Sequence, residues 1–155
     1  MTETPQGKLH LLYLDDLAVG QTFVSAEASI TEADILAFAR AYDPQPFHLD
    51  PEAAKATLFG GLAASGWHTA GLTMRLNVEG GLPFAGGIVG LGGEVKWPRP
   101  TRAGDVLHVE SRILEITPSR SKPDRGTVSV VCETRNQRGE VVQELKAKLM
   151  VLRRT

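Results

Sequence analysis

The spacing of hydrophobic side chains predicts a helix early in the chain. Apolar residues at positions 35, 38, 39 and 42 recur at the intervals of one helical face. Thr31 and Asp34 precede this face in the order of a capping box, which pairs an N-cap side chain with the third residue of a helix. Pro44 and Pro46 follow it, and proline ends a helix because it lacks an N–H and clashes with the preceding turn. The helix is therefore predicted to begin after Thr31 and to end at residue 42 or 43.

Two more helices are predicted before the strand-rich part of the chain. Asp50, Pro51 and Glu52 combine an N-cap, a proline and an acid, and the short helix that they begin is predicted to reach about Ala56. A longer, mostly apolar segment from residue 67 to residue 79 ends at two glycines, a common signal for a helix C-terminus. Because few of its positions are charged, we expect the longer helix to be buried nearly all round.

The remaining patterns predict strands. These cover residues 21–30, 86–97, 105–117, 127–135 and 140–153. Alternation is clearest in the last segment, where Leu145, Ala147, Leu149 and Val151 face one way and the lysines between them face the other. Turn residues at 136–139 and before Gly126 join neighbouring strands as hairpins. One antiparallel sheet with helices on one face is an α+β architecture, and that is the predicted fold class.

Length, charge and cysteine content narrow the class of protein. The 155 residues have the length of one domain, and its core is predicted to run from about residue 14 to residue 151. Hydrophobic residues make up 42% of the chain and charged residues 23%, which is normal for a soluble globular protein. The net charge is −1 without blocks of like charge, so nucleic acid and anionic membranes are not expected partners. The chain has no run of 18 apolar residues, so no membrane-spanning helix is predicted. Its first eight residues are polar, which argues against a signal peptide, and its one cysteine excludes an internal disulfide. These features together predict a cytoplasmic protein.

The segment from Tyr42 to Pro51 carries the candidate chemistry. Asp43 and Gln45 each precede a proline, which disfavours helical geometry at both, so a stiff, non-helical loop is predicted. The loop holds a carboxylate, Asp43, and an imidazole, His48, five residues apart. Fully extended, that spacing is about 17 Å, so the loop must curl back if both groups are to hold one water. Taken alone, such a pair is more often a helix-end aspartate and a surface histidine.

Three segments of the sequence, taken together, indicate a protein family. They are YDPQPFHLDPEAA at 42–54, LAASGWHTAGLTMRL at 62–76 and WPRPTRAGDVL at 97–107. They resemble the MaoC-like dehydratase family, which includes the (R)-specific enoyl-CoA hydratases. In the first, Asp43, Pro46 and His48 match the family's Asp-x-Asn-Pro-aliphatic-His motif, while Gln45 replaces the asparagine and Phe47 the aliphatic residue. The resemblance spans about residues 14–151 and implies the hot-dog fold, in which a curved antiparallel sheet wraps around a central helix.

The resemblance implies a cofactor-independent hydratase or dehydratase that acts on an enoyl or 3-hydroxyacyl thioester of CoA or acyl carrier protein. In such enzymes the equivalents of Asp43 and His48 bind the water that adds across the double bond, and the sequence leaves open which is the acid and which the base. Gly66 lies 18 residues after His48, where the family has its oxyanion donor, a backbone N–H at a helix N-terminus. The alternative for Gly66 is a simple N-cap glycine. Similar proteins are homodimers or higher homo-oligomers with the acyl channel between subunits.

Further residues are candidates for substrate binding: Phe47, Ser65, Trp67, Arg99 and Arg102. The two arginines lie near a predicted turn, where they would either meet the phosphates of CoA or simply be solvated. His68, on the apolar helix, is expected to be a core or pocket-wall residue. No histidine or cysteine has the spacing of metal ligands, so no metal is expected, and the resemblance implies that no cofactor is needed.

Two departures from the family pattern put the substrate in doubt, and other functions stay open. Many hydratases have a histidine where this chain has Ser65, and the active-site serine of some members corresponds to Met74. One alternative is a hot-dog thioesterase, which would use a carboxylate to hydrolyse the same thioester, although the proline-flanked Asp/His loop argues against it. The other is a non-catalytic acyl-thioester binding module, which the presence of both Asp43 and His48 argues against but which Gln45 and Met74 leave open.

Overall fold

The computed structural model describes residues 10–154, and in this part of the chain six strands form one antiparallel sheet. The strands are β1 (Thr22–Val24), β2 (Ala28–Ser29), β3 (Val89–Lys96), β4 (Val106–Pro118), β5 (Arg125–Arg135) and β6 (Val141–Leu152). Their order across the sheet is β1-β4-β5-β6-β3, and β2 pairs with another part of β4. The long strands β3 to β6 confirm the late strand predictions to within a few residues.

The predicted early strand at 21–30 is wrong in its continuity, because it forms two short strands instead of one. Ser25 lies between β1 and β2, and its hydroxyl oxygen accepts the Val109 N–H at 2.8 Å. The Ser25 N–H donates to the Val109 carbonyl at 2.9 Å. A side chain therefore replaces one main-chain acceptor of the ladder, and pairing with β4 resumes only at Ala28.

From residue 10 onward, four α-helices precede β3: α1 (Glu32–Tyr42), α2 (Pro46–Leu49), α3 (Pro51–Ala54) and α4 (Gly66–Leu76). α1 begins as predicted, since the Thr31 hydroxyl accepts the Asp34 N–H at 3.1 Å and the Asp34 carboxylate accepts the Thr31 N–H at 3.0 Å. The start of α3 is confirmed as well, because the Asp50 carboxylate accepts two N–H groups of its first turn. A wider turn at Asn77–Gly81 follows α4. Among residues 10–154, no helix is long and apolar enough to cross a membrane.

α4 packs one face against the sheet and leaves the other face open. Thr69, Thr73 and Leu76 are at most 2% exposed and recur at the i, i+4, i+7 spacing of one helical side. On the other side Trp67 is 61% exposed and Met74 is 44% exposed. The prediction that this helix is buried nearly all round is therefore wrong for the single chain, because hydroxyl side chains fill much of the buried face and large apolar ones lie outside it.

A polar network holds α4 over the sheet. The Thr73 hydroxyl lies 2.6 Å from the Thr134 hydroxyl of β5 and accepts a hydrogen bond from Gln143 Nε2 of β6 at 3.2 Å. Gln143 Oε1 accepts the Trp97 Nε1–H at 2.9 Å. Thr73, Thr134 and Gln143 are at most 1% exposed, and buried polar groups are stable only when they are paired. The network thus fixes α4 above β5 and β6 and orients the Trp97 ring.

β3 is the last strand in the sheet, so one of its edges is unpaired within the described part of the chain. Val89 and Leu91 on this strand are 40% and 55% exposed. A register shift between Gly90 and Gly92 bends the strand, and Gly92 has a φ of +151°, which favours glycine.

The apolar core lies between the sheet and α4 and includes Leu76, Val109, Val128, Val130, Leu149 and Val151.

Candidate active site

One helical turn brings Asp43 and His48, the Asp/His pair, together. Gln45 is extended (φ −105°, ψ 147°), as expected before proline, and Pro46 is the first residue of α2. The prediction of a non-helical segment is therefore wrong beyond Gln45, because proline fits the first position of a helix, where the missing N–H would have no partner anyway. The turn returns His48 toward Asp43, and His48 Nε2 lies 3.3 Å from Asp43 Oδ2.

The orientation of the His48 ring is fixed by the main chain. The ring is buried, and its Nδ1 lies 2.6 Å from the Ala63 carbonyl oxygen. A carbonyl only accepts hydrogen bonds, so Nδ1 carries a proton and donates it. Nε2 is then the nitrogen that faces Asp43, and in the neutral ring it has a free lone pair. His48 is thus oriented with Nε2 toward Asp43, and in the neutral ring with a proton on Nδ1 this nitrogen can accept a proton.

Asp43 is held in its ionised form by its neighbours. Gln45 Nε2 donates to Asp43 Oδ1 at 2.5 Å. Burial raises the pKa of the Asp43 carboxyl, but the Ser65 and Gln45 side chains and His48 lower it more, so the pKa lies below its ordinary value. The Ser65 hydroxyl faces the carboxylate outside hydrogen-bond geometry, so Gln45 is the donor that fixes it. The site therefore presents an ionised carboxylate beside an oriented imidazole.

Gly66 begins α4, so its N–H is one of the amides at the helix start that lack an intrahelical acceptor. The positive end of the helix dipole makes this position favourable for a negatively charged oxygen. The indole of Trp97 packs directly on the glycine, because a Cβ atom at residue 66 would lie 2.6 to 2.9 Å from three of its ring carbons. Glycine is therefore required here for space, and this role is compatible with that of an anion donor.

A cavity of about 680 Å³ collects most of the candidate residues. Those on its wall are Asp43, His48, Gly66, Trp67, Arg99 and Arg102. The cavity wall also includes residues that were not predicted from the sequence: Leu58, Phe59, Thr69, Trp97 and Thr101. Trp97 and Thr101 belong to the segment 97–107, and its resemblance to a turn of the family could have identified them as site residues. Leu58 and Phe59 lie in a stretch without a periodic pattern, so no sequence signal identified them.

Two predicted substrate-binding residues are not among those that line the cavity. Phe47 packs edge-on against His48, with ring centroids 4.5 Å apart, and its ring centroid is 5.0 Å from that of Phe59. Ser65 is 1% exposed and lies next to Asp43. Phe47 therefore packs on His48 and Ser65 lies beside Asp43, and contact of either with a substrate stays a prediction.

The remaining candidates differ in what they contact. Arg99 is mostly exposed and forms an ion pair with Glu140 at 3.1 Å. Arg102 instead donates to main-chain carbonyl groups of the segment 59–62. His68 stacks on Phe38 with ring centroids 4.7 Å apart, and burial lowers its pKa. It is thus a half-buried histidine packed between α1 and α4, and it does not line the cavity.

Comparison with known proteins identifies the family. A sequence model of the MaoC-like domain matches residues 16–136 of the chain. The chain belongs to the MaoC-like family. Its structure is similar to the crystal structure of a MaoC-like dehydratase from Rhodospirillum rubrum, with 61% sequence identity and a TM-score of 0.91 over 93% of this chain and 99% of that one.

Two further relatives of this MaoC-like protein are named for an activity. An R-hydratase from Pseudomonas aeruginosa superposes with a TM-score of 0.73 at 30% identity, over 92% of this chain and 87% of its own. A 3-hydroxybutyryl-CoA dehydratase from Methylorubrum extorquens is 32% identical over 116 residues, which are 74% of this chain and 72% of that protein. The family resemblance drawn from the three segments is confirmed, and so is the hot-dog fold, with α4 as its central helix.

Proposed function

We propose that this MaoC-like protein is a cytoplasmic, cofactor-independent hydro-lyase that acts on thioesters of CoA or acyl carrier protein. It adds water to an enoyl thioester, or removes water from a 3-hydroxyacyl thioester in the reverse direction. The observation that carries the proposal is the 3.3 Å approach of His48 Nε2 to Asp43 Oδ2 on the wall of a cavity that also holds Gly66. The R-hydratase and the 3-hydroxybutyryl-CoA dehydratase among its relatives support the same reaction.

The Asp/His pair suits the handling of one water. In hydration the water oxygen forms a bond to Cβ and loses a proton, Cα gains a proton, and the electrons of the double bond move toward the thioester oxygen in between. Asp43 Oδ2 and His48 Nε2 both accept hydrogen bonds, so together they orient the two hydrogens of the water and aim its oxygen at Cβ. The pair takes the proton from water and returns it to Cα, so no proton is consumed overall.

Gly66 is the proposed donor to the thioester oxygen. It lies on the cavity wall and begins α4, so its N–H has no competing acceptor within the helix. A preorganised donor of this kind stabilises the charge that builds on the oxygen only as the enolate forms. Trp67 and Arg99, which line the same cavity, are proposed to contact the acyl group and the CoA phosphates.

A reaction with crotonyl-CoA tests the proposal and its two alternatives. Hydration removes the enoyl absorbance without releasing a thiol, and this is the expected result. A thioesterase would release the thiol of CoA, which a thiol reagent detects. A binding module would change neither signal. Release of thiol, or no reaction with crotonyl-CoA and longer enoyl thioesters, would contradict the assignment as a hydro-lyase.

Replacing Gln45 by leucine is expected to raise the pKa of Asp43. The substitution removes the donor that lies 2.5 Å from Oδ1, and a carboxylate that loses a hydrogen bond is protonated more readily. We expect kcat to fall about tenfold, which corresponds to one charge-assisted hydrogen bond of about 1.5 kcal/mol. Carbon NMR of the Asp43 carboxyl group, titrated with pH, measures the pKa directly.

Gln45→Asn is the matched control, because it keeps an amide donor and restores the residue of the family motif. The pKa of Asp43 is expected to increase in the order wild type, Gln45→Asn, Gln45→Leu. An unchanged pKa in Gln45→Leu would mean that the amide does not hold the carboxylate in its ionised form.

The protein is expected to form a homodimer or a higher homo-oligomer. β3 has an unpaired edge within residues 10–154, and the open face of α4 exposes Trp67 and Met74. Large exposed apolar side chains are typical of protein–protein interfaces, and assemblies of identical chains are most often two-fold dimers. Sedimentation velocity at micromolar concentration measures the mass. A stable monomer would argue strongly against an active site built between two subunits.

A further inference from the structure

Arg102 contacts the main chain of the segment that joins α3 to α4. Its Nη1 donates to the carbonyl oxygens of Gly61 at 3.0 Å and Leu62 at 3.2 Å, and its Nη2 donates to that of Phe59 at 2.5 Å. The base of the side chain is fixed as well, because the Arg102 N–H donates to the buried Asp105 carboxylate at 2.9 Å. Both terminal nitrogens of the guanidinium are therefore committed to main-chain carbonyls.

The same segment fixes the His48 ring. Ala63, the next residue, accepts the His48 Nδ1–H at 2.6 Å, and its own N–H donates to the Phe47 carbonyl at 3.0 Å. The Ala64 N–H donates to the Thr101 carbonyl at 2.9 Å. Residues 59–64 form neither helix nor strand, so hydrogen bonds to α2 on one side and to residues 101–102 on the other hold them in place.

Arginine suits this position for geometric reasons. The planar guanidinium presents a rigid fork of N–H groups that serves several acceptors at once, whereas a lysine ammonium is a compact point charge. Its bonds to the three carbonyls are charge-assisted and partly shielded from water, so they are stronger than bonds between neutral groups. A single side chain thus replaces the regular hydrogen bonding that the segment lacks.

We propose that Arg102 is a positioning residue for the Asp/His pair. Its guanidinium holds the segment 59–62 in place, so that the Ala63 carbonyl keeps His48 in the Nδ1–H tautomer with Nε2 toward Asp43. The consequence for catalysis rests on the proposed function. For Arg102, this role takes the place of the predicted contact with CoA phosphates.

Two substrates separate positioning from phosphate binding. Crotonyl-CoA carries the phosphates, and crotonyl-pantetheine presents the same acyl thioester without them. We expect Arg102→Ala to lower kcat by about 10- to 100-fold and by the same factor on both substrates, with a much smaller change in KM, because a misplaced catalytic group reduces the rate more than the affinity. Arg102→Lys keeps the charge but cannot serve all three carbonyls, so we expect a smaller loss of the same kind.

Nitrogen NMR of the His48 ring measures the tautomer directly. The wild type is expected to show a protonated Nδ1 and an unprotonated Nε2 at a pH where the ring is neutral, and Arg102→Ala is expected to show a mixture of the two tautomers. Arg153→Ala is the control, because Arg153 pairs with Asp15 at 2.9 Å and is not on the cavity wall. It should change neither the tautomer nor kcat.

Each outcome decides the role of Arg102. A loss of activity on crotonyl-CoA alone would assign the guanidinium to the phosphates and overturn the proposal, as would an unchanged tautomer in Arg102→Ala. If Arg102→Ala does not fold, the same two measurements on Arg102→Lys decide. A wild-type protein that hydrates neither thioester would contradict the proposed function, and NMR would still show whether Arg102 positions His48.

Discussion

Replacing Asp43 by asparagine, or His48 by alanine, is expected to lower kcat by about 100- to 10,000-fold, the usual range for loss of a general acid or base. Asparagine keeps the size of the aspartate and an oxygen for the Gln45 amide, but it has no negative charge and is a far weaker base. Alanine at residue 48 removes the Nε2 that lies 3.3 Å from Asp43 Oδ2. In either variant one contact to the water remains, and the proton has lost part of its route to Cα.

The two substitutions are expected to be strongly non-additive. Because the pair acts on one water, loss of either group removes most of the advantage of the other. The double variant Asp43→Asn with His48→Ala should therefore be about as slow as the slower single variant. Fully additive losses would indicate that the two groups act in separate steps.

A third histidine provides the control for this experiment. His108 lies away from the cavity wall, with its Nε2 3.8 Å from Glu110 Oε2, and His108→Ala should keep the wild-type rate. Circular dichroism and sedimentation should show an unchanged fold and assembly in all the variants. A near wild-type rate for Asp43→Asn or His48→Ala on the best substrate would rule out the proposed roles.

Sequence patterns that join residues a few positions apart correctly predicted the helices and strands that depend on local interactions. Thr31 and Asp34 cap α1 as their spacing predicts, and the capping bonds join residues only three positions apart. The alternation of Leu149 and Val151 with exposed lysines places one face of β6 in the core. Such patterns specify an element before any long-range contact forms, so the sequence alone was sufficient for them.

The candidate site was predictable in its residue types but not in its geometry. The restriction before proline applies to Gln45, which is extended, and it leaves Pro46 free to begin α2. That helical turn decides the distance between Asp43 and His48, and the proline pattern alone did not predict it. The Ala63 carbonyl that sets the His48 tautomer lies 15 residues away and belongs to the main chain, so no side-chain motif signals it.

The burial of α4 could not be predicted because its buried face is polar. Thr73 pairs with Thr134 and Gln143, which are 61 and 70 residues away in the chain. A hydropathy pattern does not show which face of such a helix is buried, since the partners of these polar groups are known only once the sheet has formed. Trp67 and Met74, which the same pattern assigned to the core, instead form the open face on which we base the expected assembly.

Removal of the Gly66 N–H is expected to lower kcat about 100- to 1,000-fold, the usual effect of losing one oxyanion donor. Gly66→Pro removes it without breaking the helix, because proline fits the first helical position, but its Cβ meets the Trp97 ring just as that of alanine does. Gly66→Ala keeps the N–H but is not a neutral control, since its Cβ would lie 2.6 to 2.9 Å from ring carbons of Trp97. Overpacking of this kind costs about 1–3 kcal/mol, and denaturant unfolding of Gly66→Ala should show that loss.

The matched comparison is therefore made in a Trp97→Ala background, where the space beside residue 66 is open. Loss of Trp97 leaves Gln143 Oε1 without its donor, but both double variants share that cost and it cancels in their ratio. Gly66→Pro should be about 100- to 1,000-fold slower in this background than Gly66→Ala. Equal rates for the two would mean that glycine is needed only for space.

An ester in place of the residue 66 amide deletes the N–H without adding a Cβ, so the Trp97 ring stays in place. The N–H itself has no intrahelical acceptor, but the Ser65 carbonyl, which accepts the His68 and Thr69 N–H groups, becomes a weaker acceptor as an ester. We expect the ester variant to be somewhat less stable than the wild type, to keep KM near the wild-type value and to lose about 100- to 1,000-fold in kcat, since the bond to the enolate oxygen strengthens only in the transition state. An ester variant with the wild-type kcat would leave Gly66 as the residue that makes room for Trp97, and the enolate oxygen would need another donor.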